Sequence, residues 1–501
     1  MRALPQGGRR DCRGRPVNRW GTAWWALVVA LVGAAPAHSQ GVRGSLSAQG
    51  SVIELRDLER DSLPADQVPG AEVRRRLEDG TVVTCIPDEF CRWYATGDRR
   101  TASLVTQDLV VAGWPGIQGV SAHAHLRSRY GSDDFWPRAE QEVEIIAAYG
   151  SWDRGDFQVR AGRQFRTSRL GYRNFDGAAF LWRGFEPLRI DVYGGWSLAP
   201  GLNAPHDGDL LEEADLFPPG ERGLVGGIDL RGRIGPIASG QLGYERVVRT
   251  GKGDALYSER ASAALKVDLE RVAIESSATY DVAFDEVNEA LLRISLPLPS
   301  EVELSAQARR YSPFFELWTI WGAFSPTGFS EGRISAAWRV PGSSVRVHGG
   351  VVYRAYDDTD TEAEFPTLEE DAWRAFGGAR WERSEWFVDG RLLADRGAGA
   401  ARYGGDLLLG RRFGTDSYLA VRGISSQSFS EFRLGEQSTT GWSGEGALQL
   451  GELMLTGSWG LYDIAFEEQP RLRDWTQQRG HLGVTWRFGI EPAMSPESGG
   501  P

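Results

Sequence analysis

The sequence predicts an all-β fold, a transmembrane antiparallel up-and-down β-barrel of about 22 strands, within a range of roughly 18 to 24. Three observations predict it. Segments of roughly ten residues alternate apolar and polar side chains, the period of a strand with one greasy and one wet face. Tight turns strictly alternate with polar, often longer connections, as in a barrel with turns at one membrane face and loops at the other. The only near-continuous apolar stretch, Trp24 to Ala35, is too short for a membrane helix, which needs about 20 residues.

That stretch follows Arg9, Arg10, Arg13, Arg15 and Arg19 and precedes Ala37-His38-Ser39-Gln40. A basic stretch, an apolar stretch and small residues before a cut site read as a cleaved secretory signal over 1–39. Its removal takes six arginines and Asp11 from a chain of net charge −12, leaving about −17. Such acidity argues against nucleic acid as a partner. Cys12 leaves with the signal, so Cys85 and Cys91 remain, and two cysteines this close in an exported chain are expected to form a local disulfide.

One barrel domain is expected over 40–489, starting with a strand near 42–55 and an outward excursion over 56–103 that holds the cysteines. Strands at 104–114 and 118–130 flank the turn Trp114-Pro115-Gly116-Ile117, and those at 139–150 and 156–166 flank Asp153-Arg154-Gly155. Next come 174–183 and 187–197, where Leu188, Ile190, Val192 and Trp196 oppose Arg189, Asp191 and Tyr193. In 223–234, 236–249, 256–268 and 271–284 the alternation is again clean: Ala261, Ala263, Leu265 and Val267 oppose Arg260, Ser262, Lys266 and Asp268. The set Val272, Ile274, Ala278, Tyr280, Val282 and Phe284 likewise opposes Glu275, Ser277, Thr279 and Asp281. Further strands are expected at 287–297, 301–311, 329–339, 344–356, 372–383, 385–395, 402–413, 416–427, 439–450, 452–463 and 479–489. No layer of helices is available to cover the apolar faces; lipid can cover them, and closure satisfies every edge. Trp114, Trp152, Trp196, Trp338, Trp386 and Trp486 fall near segment ends, as an interfacial girdle requires.

In the last strand Leu482, Val484, Trp486 and Phe488 share one face. This resembles the C-terminal signature of bacterial outer-membrane proteins, which end in an aromatic residue. The resemblance implies a place in the outer membrane, lipid around the wall, and recognition of these four residues by the barrel-assembly machinery. The chain departs from that pattern in its Pro- and Gly-rich tail, 490–501, which is expected to be disordered. Gly162-Arg163-Gln164 followed by Arg173-Asn174-Phe175-Asp176-Gly177 resembles a hairpin of alginate-export-type porins, a family that conducts anionic polysaccharides through an arginine-lined lumen. It covers one hairpin and transfers no substrate.

Face assignment puts His123, His125, Arg127 and Arg129 in the lumen, opposite Ala122, Ala124 and Leu126. It also places Arg160, Arg166, Arg189, Arg260, Arg309, Arg346 and Arg354 there, beside Asp191, Asp268, Glu275, Asp281, Glu301 and Glu303. Fixed charges of this kind set ion preference. His123 and His125 lack a third ligand for zinc, so lumen lining is the expected role, and no metal or cofactor is expected. The loop Tyr311 to Phe329, with Phe314, Phe315, Trp318 and Trp321, could fold into the lumen or form an extra hairpin. Acidic runs at Asp357 to Asp371 and His206 to Glu213 lack the glycine and spacing of a calcium loop. No nucleophile elbow, zinc-protease motif or phosphate loop occurs, so no enzyme is expected. The expected function is passive diffusion of small polar or anionic solutes, filtered by lumen charges and loops. The alternatives are a carbohydrate-active enzyme, secreted or membrane-embedded, and a closed structural or adhesive barrel.

Overall fold

A computed structural model describes residues 41–70, 72, 74–86, 89–132, 143–198, 223–249, 256–312, 328–357, 371–397, 400–431, 435–466 and 470–490. The expected signal, the tail from 491, the aromatic run near 314–324 and the acidic runs at 206–213 and 358–370 lie outside the described residues.

The first strands are β1 (Gly41–Pro64), β2 (Arg74–Arg76), β3 (Val82–Cys85), β4 (Phe90–Trp114), β5 (Val120–Gly131), β6 (Val143–Arg154), β7 (Phe157–Ser168) and β8 (Gly171–Phe185). They continue with β9 (Leu188–Ser197), β10 (Gly223–Ile234), β11 (Ala238–Arg249), β12 (Leu256–Leu269), β13 (Val272–Asp281), β14 (Glu286–Leu298), β15 (Val302–Tyr311) and β16 (Phe329–Arg339). The last are β17 (Val345–Tyr356), β18 (Asp371–Arg383), β19 (Trp386–Gly397), β20 (Ala400–Arg412), β21 (Tyr418–Glu431), β22 (Gly435–Leu450), β23 (Leu453–Phe466) and β24 (Trp475–Ile490). β1 and β4 to β24 each pair antiparallel with their neighbours, and β24 returns to β1 from Val42–Ile490 to Ile53–Arg479, closing a 22-stranded barrel.

Closure pairs the last strand with the first, and among the described residues most exposed apolar side chains lie on the outer wall, where period-two alternation has put them. Its aromatic side chains form two belts. Trp152, Phe157, Trp338, Trp381, Trp386 and Trp486 ring the end with the short turns; Trp196, Tyr353, Trp373, Tyr403, Trp442 and Trp459 ring the other. Trp373 and Trp381 share a face of β18 eight residues apart, about 26 Å along the strand, close to the height of a membrane-facing band. Aromatic rings lie over glycines where strands need close cover: Phe387 over Gly410, Trp459 over Gly480, and Phe488 over Gly44.

Three expectations need correction. The excursion 56–103 is mostly strand. Pairing of β1 with β4 runs to Pro64–Phe90, while β24 leaves β1 at Ile53 and β5 leaves β4 at Leu104. The upper halves of β1 and β4 therefore form a free ribbon of about 35 Å at 3.3 Å per residue. Its residues are mostly charged or polar, so it carries no apolar stripe for sequence to reveal. At its tip, Cys85 stands opposite Cys91 and the two are joined, with Val83, Trp93, Ala65 and Val68 packed around them. Second, the strict alternation of short and long connections fails: the loop-end links at 169–170 and 398–399 are as short as any turn, because β8 and β20 begin earlier than expected. Third, β13 stops at Asp281, so Val282 and Phe284 lie in a turn, and Glu301 closes a short turn rather than opening β15.

Candidate functional site

The inner wall carries the chemistry, and its most unusual element is the β7–β8 hairpin. Gly162 on β7 faces Gly177 on β8, which faces Gly195 on β9, so three neighbouring strands have no side chain at one height. A Cβ at Gly162 would sit 2.3 Å from the Ala148 carbonyl, and Gly162 has φ +124, open only to glycine. Just past this row β7 parts from β6, while β8 stays paired with β9 through Phe175–Ser197. β6 and β7 stop pairing at Ala148–Arg163, although β5 stays paired with β6 as far as Val143. The Arg163 guanidinium spans the gap, donating to both Asp176 carboxylate oxygens (2.7 and 2.9 Å) and to the Ile145 carbonyl (3.3 Å). The motif Gly-Arg-Gln with Asp-Gly is therefore the bend of a hairpin that turns into the lumen.

Ion pairs hold the hairpin against the inner faces of β9 to β12. Arg166 reaches Asp191 at 2.7 Å and Asp229 at 2.5 Å, its guanidinium 4.2 Å from the Tyr193 ring centre. Arg173 donates to Glu245 at 3.0 Å, and Glu245 also accepts the Tyr193 hydroxyl at 2.9 Å and meets Arg260 at 3.5 Å. Phe175 packs among Tyr193, Val225 and Val247 and is fully buried. Because this face is turned to the wall, the opposite face meets the lumen. Phe165 and Tyr172, stacked 5.6 Å apart and half exposed, look inward, with Phe165 beside Gln158, Arg160 and Leu181 and Tyr172 within electrostatic reach of Arg127 on β5. Alternation alone would have put both on the lipid side.

The residues anticipated for the lumen lie in varied surroundings, and one of them, Glu301, is in a turn. His123 stacks on Tyr149 at 5.0 Å, while His125 Nε2 lies 2.7 Å from Asp108, so the two imidazoles do not converge on one point. Arg127 also meets Asp108 (2.8 Å), and Arg129 meets Glu144 (3.1 Å). Arg160 donates to Gln158 and lies over Tyr149. Arg309 pairs with Glu289 (2.7 Å), Arg354 with Glu331 (2.6 Å) and Glu275 with Arg293 (3.6 Å). Arg189 and Arg346 differ. Among the described residues neither has a carboxylate within ion-pair distance; Arg189 stands opposite Arg231, and Arg346 stands between Arg339 and Arg380. Arg231, Arg333 and Arg487 share that condition. Like charges directly opposite each other on a sheet repel, which only a wet lumen and counter-ions relieve.

Asp108, Glu144, Arg173, Asp229, Glu245, Arg231, Phe165 and Tyr172 were missing from the expected set. Alternation could have placed Asp229 and Glu245 on the inner face. The three aligned glycines were the signal for the bend, but they lie on separate strands and show only once the register is known.

No family model and no curated protein matches this chain. Among solved structures, it is similar to a BenF-like porin from Pseudomonas fluorescens Pf-5, with 9% identity over 90% of this chain and 99% of that one and a TM-score of 0.41. The P pilus usher (PapC) translocation pore gives 7% identity over 90% and 99%, with a TM-score of 0.43. OccK3 from Pseudomonas aeruginosa gives 10% over 90% and 96%, with a TM-score of 0.36. At these scores the likeness carries no functional inference, and the barrel stands on its own strand pairings.

Proposed function

We propose that this chain is a porin-like channel of the bacterial outer membrane, exported behind a cleaved signal, that passes small polar or anionic solutes by diffusion. One observation carries the reading: a chain of net charge −12 presents, on the inner face of a closed barrel, arginines that have no carboxylate within ion-pair distance among the described residues. Arg189, Arg231, Arg346 and Arg487 stand near the short-turn end of that face and Arg333 farther up the wall, where a passing anion would meet them. The outer belts support insertion in lipid, and the last strand supports delivery by the barrel-assembly machinery. Filtering would act at the turned-in hairpin, where Phe165 and Tyr172 are half exposed and Tyr172 lies within electrostatic reach of Arg127. Nothing in this arrangement requires covalent chemistry, which favours a conduit over an enzyme. Reconstitution into planar bilayers tests the reading. Stepwise conductance, with a reversal potential under a salt gradient on the anion side, is expected; clean insertion without current would refute it.

A further inference from the structure

We infer that the β7–β8 hairpin is a gate with two seats, the docked one described above and a second within the barrel wall. The first ground is the edge it leaves behind. β6 continues from Ala147 to Val143 beyond its last pairing with β7, and β5 pairs with that stretch on one side only. A strand edge at membrane depth demands partners for its backbone groups. The Arg163 guanidinium serves one carbonyl there, at Ile145.

The second ground is complementarity. β6 carries a bulge at Ile146 relative to β5. If the β6–β7 ladder continued past Ala148–Arg163 with that bulge carried through, Ile145 would stand beside Phe165, Glu144 beside Arg166, and Val143 beside Thr167. Every face then matches. Phe165 joins Ile145, which is exposed on the outer wall, and Tyr172 returns to the lipid side that its alternation specifies. Arg166 meets an inward carboxylate. In the docked seat the Arg166 Nε is buried without a hydrogen-bond partner, Glu144 Oε2 has the Arg129 ion pair at 3.1 Å, and the upright seat would bring Arg166 beside Glu144. The same sequence thus satisfies two arrangements.

The third ground is the hinge. The glycine row at 162, 177 and 195 lets the backbone bend without moving side chains through one another, and its position coincides with the end of the β6–β7 pairing. Beyond it, the docked contacts are the ion pairs of Arg166 and Arg173, which can be exchanged for others, the buried Phe175, and the last β8–β9 pairs at Asp176–Trp196 and Phe175–Ser197. In the docked seat the hairpin occupies lumen space; in the upright seat it completes the wall and vacates it. Gating of current rests on the channel reading, whereas the movement itself does not.

The test is a Val143→Cys, Thr167→Cys pair in the full-length chain, oxidised in outer-membrane vesicles and scored only on barrels that migrate as folded in unheated gels. The native Cys85–Cys91 bond is already closed. The expected result is loss of both new thiols, a rise in unitary conductance, and reversal of both by dithiothreitol. Adding Glu245→Gln, which removes the Arg173 ion pair of the docked seat, is expected to speed the trapping. Folded barrels that keep both thiols free, or that lock without any change in conductance, overturn the gate. If no variant conducts, yet the thiols pair, the channel reading fails and the movement stands.

Discussion

The Phe488 ring lies across the backbone of Gly44 at the seam where the last strand meets the first. A Cβ on Gly44 would fall 2.6 Å from the ring and 2.5 Å from the Val110 carbonyl, so the site admits only hydrogen. Phe488 also stacks 5.0 Å from Trp486, and both sit on the outer face beside β1. The aromatic residue that ends the chain's outer-membrane signature is therefore also a packing element of the closure.

Gly44→Val is predicted to weaken the seam by about 1 to 3 kcal/mol, the usual cost of overpacking, since one of the clashing atoms is backbone and cannot turn away. Phe488→Ser removes the ring instead and is predicted to lower the yield of folded barrel. Heat-modifiable migration after outer-membrane fractionation reads both. Wild-type amounts of folded Phe488→Ser protein would separate this residue from assembly.

Neutralising lumen arginines is predicted to move the reversal potential toward cations. Arg189→Gln with Arg231→Gln removes two charges that lack carboxylate partners, and like-charge repulsion between these strands falls with them. Stability should hold or rise slightly while anion preference drops. Arg127→Gln with Arg129→Gln is predicted to shift selectivity in the same direction but to destabilise the wall, because Asp108 and Glu144 lose their partners. Unchanged reversal potentials in both double variants would remove these side chains from the ion path.

The ribbon above the barrel is predicted to depend on Arg471. Its guanidinium lies 4.7 Å from the Trp93 ring centre and donates to Asp79 at 2.8 Å, and its carbonyl accepts the Thr96 backbone N–H. Thr81 and Arg471 together hold the Asp79 carboxyl down at about 2. A lowered carboxylate pKa stabilises the folded form above the ordinary aspartate range and loses that contribution as pH falls through the folded value. The latch should thus stay closed at pH 4 and open only near pH 2. Arg471→Ala is predicted to loosen the ribbon by about 1 kcal/mol, mostly from the lost cation–π contact, since the exposed ion pair adds little. Limited proteolysis at the β1–β4 ribbon checks this, with Asp79 expected to titrate higher in the variant.

Replacing Cys85 and Cys91 with Ser is predicted to leave the barrel intact and to expose the tip of the ribbon. The bond joins residues directly opposite each other across β3 and β4, so it closes only a short loop and adds little to global stability. Unchanged heat-modifiable migration with faster cleavage near Val83 and Trp93 is the expected pair of results. Loss of folded barrel would show that the tip participates in assembly.

Strand number and facing were legible because lipid imposes them: each wall strand must show apolar side chains every second residue, as Val272, Ile274, Ala278 and Tyr280 do. The same alternation is the ground for expecting Arg260, Arg309 and Arg354 in the lumen. Two parts were not legible. The ribbon rises beyond its wall neighbours and is rich in charged residues, so Glu59, Arg60 and Asp61 read as loop although they are paired strand. The turned-in hairpin keeps perfect alternation, and Phe165 has the same neighbours in sequence whether its strand stands in the wall or folds inside. Only the register, which aligns Gly162, Gly177 and Gly195, distinguishes the two.

The most direct measurement is the reversal potential of single channels in a planar bilayer across a potassium chloride gradient. An inner wall with unneutralised arginines predicts stepwise currents that reverse near the chloride potential, and a shift toward the potassium potential in the Arg189→Gln, Arg231→Gln variant. Wild-type protein that inserts cleanly and carries no current, or whose current reverses near the potassium potential, would contradict it.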